Sequence, residues 1–143
     1  MLFLPVVILV LAGCRQLQPS EIDETIIVDW AELTLLNDEI TSATKVLELE
    51  INNLSVNQFG FGERFIIEKK DKDEWYFIPY KSYKSGFRGF KLLQLFIPGE
   101  SKSLFNADLS ILEKTLASGE YRVLIPVDTI DGKGYLAANF SIL

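Results

Sequence analysis

Leu116-Ala117-Ser118-Gly119-Glu120-Tyr121-Arg122-Val123 is the stretch on which the fold turns. Ser118-Gly119 is a turn signal, because glycine admits backbone angles that other residues avoid. Directly after it Tyr121, Val123 and Ile125 alternate around Arg122, the period of a strand with one wet face. Leu124 makes the same strand apolar on both sides. Leu116, Gly119 and Tyr121 thus set a Leu-x-x-Gly-x-Tyr spacing at the head of an apolar strand.

That period recurs on either side. Leu47, Leu49 and Ile51 alternate with Glu48 and Glu50 within Lys45–Ile51, and Leu136, Ala138, Phe140 and Ile142 alternate with Ala137, Asn139 and Ser141. Further strands are predicted over Ile26–Leu36, Glu63–Lys69, Glu74–Tyr80, Lys91–Ile97 and Ser103–Leu109, punctuated by Asn52-Asn53, Asp71-Lys72-Asp73, Pro98-Gly99 and Asp131-Gly132. One helical turn, Ser110–Leu116, reads as a crossover. Seven or eight short strands with turns every ten residues or so predict an all-β antiparallel sandwich. The Leu116, Gly119, Tyr121 spacing resembles the tyrosine corner of immunoglobulin-like sandwiches, in which the hydroxyl turns back to the backbone a few residues upstream. Val123 stands where antibody domains carry their second cysteine, so the core holds without a disulfide.

The order of short motifs extends the resemblance. Asn52-Asn53, Phe61-Gly62-Glu63, Ile67-Glu68-Lys69, Glu74-Trp75-Tyr76 with Ile78-Pro79, Pro98-Gly99-Glu100-Ser101 and Gly119-Glu120-Tyr121-Arg122 succeed one another as in the bacterial Ig-like domains of Gram-positive surface lipoproteins. Trp75, Leu116, Gly119 and Tyr121 are the positions that define the fold in this comparison. Where that family has an Asp-Gly turn before the tryptophan, this chain has Lys72-Asp73-Glu74. The resemblance implies a fold and a surface setting and lends no activity.

The chain has 143 residues, 48% hydrophobic and 24% charged, with five prolines, which fits one folded domain. It has no histidine and a single cysteine. An internal disulfide is therefore excluded, and so is the imidazole that most nucleophilic and metal sites use. A formal charge of −6 argues against nucleic acid as a partner.

The one cysteine, Cys14, ends an apolar run from Leu2 to Ala12. Such a run suits the apolar region of a signal peptide and is too short to span a bilayer. Read instead as a buried strand or helix, it leaves the thiol incidental. Leu11-Ala12-Gly13-Cys14 resembles the lipobox of bacterial lipoprotein precursors. That resemblance implies that Cys14 becomes the first mature residue and carries two or three acyl chains, enough to anchor stably where one chain is marginal. The expected domains are a signal peptide over 1–13, a lipidated tether over 14–25 and the sandwich over 26–143. Treated as a flexible coil, ten tether residues reach roughly 5–6 Å × √10, on the order of 20 Å. The protein is expected on the extracytoplasmic face of the cell membrane, or on the outer membrane of a diderm cell, held there by the lipid at Cys14.

Chemistry is sparse. An EF-hand loop begun at Asp71 needs glycine at its sixth position and a carboxylate at its twelfth, where Tyr76 and Ser82 stand. A carboxylate pair such as Asp71 with Asp128 is conceivable in a hydrolase, but nothing singles one out. Neither a metal nor a cofactor is expected. The unusual stretch is Tyr80 to Lys91, which carries Lys81, Lys84, Arg88 and Lys91 and no acid, so the rest of the chain sums to −10. Tyr80, Tyr83, Phe87 and Phe90 interleave with those cations, a pattern suited to anionic polymers, sugar rings or lipid headgroups. In the alternative reading Tyr80, Phe87 and Phe90 point into the sandwich and the cations wet its surface. The expected function is a non-catalytic binding module whose partner is a protein or an envelope polymer. An accessory subunit of a membrane complex, which would expose a large apolar patch, and a carboxylate hydrolase are the alternatives.

Overall fold

The computed structural model describes residues 17–143. Cys14 and the apolar run before it lie outside the described residues. Among the described residues ten strands form two antiparallel sheets, two strands more than the upper expectation, because several are only two or three residues long. The smaller sheet orders β2 (Ala31–Leu35), β3 (Val46–Asn53) and β8 (Lys102–Asp108) with β3 central. The larger one holds β1 (Gln18–Pro19), β4 (Phe59–Phe61), β5 (Ile66–Asp71), β6 (Glu74–Phe77), β7 (Leu95–Ile97), β9 (Gly119–Thr129) and β10 (Gly132–Ile142).

The organising strand is β9. Its whole length pairs with β10, Gly119 opposite Ile142 and Thr129 opposite Gly132. Its other edge is shared: β5 takes the first half, Lys69 opposite Tyr121 and Ile66 opposite Leu124, and β4 takes the second, Gly60 opposite Asp128. The sheet then runs outward through β6 to β1 at one margin, while β7 borders β4. The period-two pattern does what it predicts in the core. Leu47, Leu49 and Ile51 of β3 face Tyr121, Val123, Ile125 and Val127 of β9, all 1% exposed or less, and Phe105, Leu136 and Phe140 close around them.

The tyrosine corner forms as its spacing predicts. The Tyr121 hydroxyl donates to the Ala117 carbonyl at 2.7 Å, and its ring stacks on Phe140. Leu116 is buried in the core, and Gly119 adopts φ 153° where a Cβ would meet Lys69 Cε at 3.1 Å. At the opposite end of the sandwich Asn53 is also buried, and its side-chain amide donates to the carbonyls of Asn57, Ile97 and Pro98, tying β3 to β7.

Several boundaries differ from expectation. The strand predicted over Ile26–Leu36 starts only at Ala31, because residues 24–26 form a 3-10 turn capped by Asp23. The strand predicted over Lys91–Ile97 shrinks to Leu95–Ile97, where β4 gives it a partner. The helical turn predicted over Ser110–Leu116 is a single 3-10 turn at Leu109–Ile111, capped by the Asp108 carboxylate on the Ser110 amide. The segment read as a tether is already structured from Gln18: β1 pairs with β6, Gln18 opposite Phe77 and Pro19 opposite Tyr76. The chain then crosses the outer face of the large sheet to reach Tyr135 on β10, where Ile27 bridges and the Val28 amide donates to the Tyr135 carbonyl. We call residues 17–28 the strap.

The β5–β6 hairpin turns on Lys72 and Asp73, both at positive φ (50° and 67°), between the paired residues Asp71 and Glu74. This is the primed turn that matches strand twist and favours glycine. Asp73→Gly is therefore expected to raise stability by up to about 1 kcal/mol, read by urea denaturation. Tyr121→Phe is expected to cost about 1–2 kcal/mol, since it leaves the Ala117 carbonyl without its donor. Burial pushes the hydroxyls of Tyr80 and Tyr121 above the usual tyrosine range. The fold keeps both neutral while the unfolded chain ionises them near pH ~10, so their contribution is full below that pH and is lost as pH rises through the folded values. The alkaline fall in stability should be shallower in Tyr121→Phe than in the parent.

Candidate functional site

The strand at the centre of the large sheet has no wet face. Arg122 and Leu124 point away from the core, yet both are 2% exposed or less, and so is Glu68 beside them. The strap covers them. Arg122 Nε donates to Glu68 Oε1 at 2.8 Å and its Nη2 lies 2.6 Å from the same oxygen. Nη1 donates to Glu24 Oε1 of the strap at 2.7 Å, and the guanidinium lies 4.5 Å from the centroid of the Trp75 ring. Trp75, expected as a fold-defining residue, is half-buried on this outer face and roofs the arginine.

The charges of this cluster satisfy one another, and Glu68 also lines a groove of about 290 Å³ between the strap and the sheet. The pair Asp71 and Asp128 is not brought together. Lys69 stands opposite Tyr121 with Asp71 two residues beyond, whereas Asp128 faces Gly60 at the far end of β9. Roughly nine strand residues at ~3.3 Å put the two carboxylates on the order of 30 Å apart, against the about 5–10 Å that a glycosidase pair needs. Among the described residues no three acidic, cysteine or histidine side chains converge to hold a metal ion.

The surface with chemical character is the flank where the two sheets stand open. Sheet order fixes which flank this is: β2 packs near β10, so β8, the opposite margin of the small sheet, lies on the side of β6 and β1. Residues 80–94 leave β6 and cover that opening. Tyr80 bridges to Leu112, and its hydroxyl donates to the Phe65 carbonyl at 2.6 Å. The rings of Tyr80, Phe87 and Phe90 meet one another at centroid distances of 5.1–5.5 Å, and Phe90 reaches Phe65 of the core. These three rings are half-buried and plug the sandwich.

The remaining residues of the stretch point outward. Tyr83 is 68% exposed with the Arg88 guanidinium 5.2 Å from its ring centroid, and Lys84, Arg88 and Lys91 are exposed with no ion-pair partner among the described residues. Lys81 is half-buried, its amide donating to the Ile111 carbonyl, and its charge helps the Ser110 hydrogen bonds hold the Asp108 carboxyl below the usual range. The basic–aromatic pattern ends at Lys91, but the outward-facing surface does not, and its apolar part escapes a reading by sequence. Leu92 is fully exposed, and Leu93, Leu95, Phe96 and Leu104 expose much of their surface. The signal was present in Leu92-Leu93, two adjacent aliphatics that break the alternation and cannot both face the core.

Two stacked antiparallel sheets with a tyrosine corner and no disulfide make an immunoglobulin-like β-sandwich. The chain belongs to the bacterial Ig-like domain family, whose model matches residues 29–140. No curated protein matches it. Among solved structures it is similar to the archaellum periplasmic stator protein FlaG from Sulfolobus acidocaldarius, at 11% identity and a TM-score of 0.42, over 77% of this chain and 99% of that one. At that distance the likeness does not bear on function.

The Arg122 cluster yields a graded expectation. Arg122→Met leaves Glu68 buried and unpaired, and Glu68→Gln leaves the buried Arg122 only the exposed Glu24; each is expected to cost about 3–5 kcal/mol. Glu24→Gln, whose side chain is 71% exposed, should cost no more than about 1 kcal/mol. Urea denaturation of the three variants reads the order.

Proposed function

We propose that this protein is a lipid-anchored, extracytoplasmic Ig-like module that acts by binding and performs no catalysis. The observation that carries the reading is the open flank. Tyr83, Leu92, Leu95 and Leu104 are exposed on or beside the segment that covers it, Leu95 and Leu104 lining one groove with Phe87, Phe90 and Lys91, and exposed apolar side chains gathered beside cations mark a contact. The cations Lys84, Arg88 and Lys91 rim it. The family supplies the setting, since Ig-like sandwiches serve as scaffolds whose function lies in their surfaces.

The anchor rests on Leu11-Ala12-Gly13-Cys14 at the end of the apolar run. With Cys14 acylated, two or three chains hold the module at the membrane, and the lone cysteine has its role. A second reading, a permanent subunit of an envelope complex, is favoured by Leu95, Phe96 and Leu104, which lie along the margins of both sheets. Labelled palmitate is expected in the parent protein and absent from Cys14→Ala; label retained in the variant would refute the anchor. Leu95→Asp with Phe96→Ser should lose proteins that co-purify from solubilised envelopes if the subunit reading holds, and should keep them if it does not.

A further inference from the structure

We propose that the flank formed by residues 83–92 lies on the membrane itself, with Lys84, Arg88 and Lys91 against anionic headgroups and Tyr83 and Leu92 in the interfacial layer. The inference rests on the anchor at Cys14 and deepens it, because the strap changes what that anchor can do. A coil of ten residues would let the domain tumble; the strap is instead pinned to the sheet from Gln18 by the β1 ladder, the Glu24–Arg122 contact and the Tyr135 bridge. Three residues then separate Cys14 from Gln18, four Cα–Cα steps and at most about 14 Å of fully extended chain.

Where those residues start decides which side faces the lipid. Gln18 is opposite Phe77 on the marginal strand β1, three residues before Tyr80, and the Phe77 and Tyr80 rings are 5.4 Å apart. Lipid and basic stretch therefore share one flank. The outer side of the small sheet suits an anionic surface badly: it carries Glu32, Glu48 and Glu50, and among the described residues only Glu50 has a cation, Lys102, within ion-pair reach. On the flank itself the side chains have the composition of an interfacial contact, cations that reach headgroups, an aromatic ring with a polar tip and a fully exposed leucine. The plug of Tyr80, Phe87 and Phe90 holds that surface in place before any contact is made.

The test uses the lipidated chain reconstituted in vesicles. Acylation blocks Cys14, so Leu92→Cys offers one thiol for a polarity-sensitive fluorophore, and Ile130→Cys, 92% exposed in the β9–β10 turn, serves as the control. With phosphatidylglycerol-containing vesicles the probe at 92 should shift to the blue and be quenched by doxyl lipid, while the probe at 130 stays water-like. The shift should vanish on pure phosphatidylcholine and at ~1 M salt, where the screening length falls to about 3 Å. Changing Lys84, Arg88 and Lys91 to Ser should weaken the docked state on the order of fivefold for each cation removed. Equal responses at 92 and 130, no response at 92 on anionic vesicles, or a response at 92 only when envelope protein is added would overturn the proposal, the last in favour of a protein partner.

Failure of the anchor is read separately, from intact mass. If Cys14 proves bare, flotation of the unacylated chain with phosphatidylglycerol vesicles, lost in the triple variant, would still uphold the flank. No flotation would overturn it.

Discussion

Arg122 lies on the side of β9 that faces away from the core, and it is buried. A two-layer sandwich normally leaves that side wet, so a strand carrying Leu124 and a paired Arg122 there needs a third layer. The strap is that layer. Glu68 neutralises the guanidinium from the neighbouring strand, Trp75 roofs it, and Glu24 adds a contact from above that fixes the strap's path. Removing the arginine would leave Glu68 buried under the strap without a counterion, whereas removing Glu24 leaves Arg122 paired with Glu68.

That constraint orders the rest of the molecule. The strap must run from the β6 margin to β10, so the chain arrives at β1 on the flank where the sheets stand open. That flank cannot remain open, because β8 and the last turns of the large sheet would expose Phe65 and Phe105. Residues 80–94 fill it with Tyr80, Phe87 and Phe90. Filling it turns Tyr83, Arg88 and Leu92 outward on the flank where the strap begins at β1. The surface proposed for contact is thus the outside of a structural plug formed by Tyr80, Phe87 and Phe90.

Side chains with a local partner were legible early. Leu47, Leu49 and Ile51 announce a half-wet strand because their neighbours are charged, and the Leu116, Gly119, Tyr121 spacing announces a corner because the hydroxyl's acceptor is four residues away. Short strands were not legible. β4 and β7 exist only because they find each other and β9, and Phe59-Gly60-Phe61 carries no period of its own. The strap was misread for a related reason: polar, proline-containing sequence looks like coil until a sheet face offers it hydrogen bonds.

The amino-acid sequence by itself determined an all-β sandwich, a core free of disulfide, the tyrosine corner and the basic–aromatic composition of residues 80–91, since each depends on spacings shorter than about a dozen residues. Tertiary structure alone decided that Glu24, Glu68, Trp75 and Arg122 meet, that the tether is a strap, and that Tyr83 and Leu92 face outward together. Those contacts join residues up to 98 positions apart, and which face of a strand is covered depends on what the remainder of the chain lays across it.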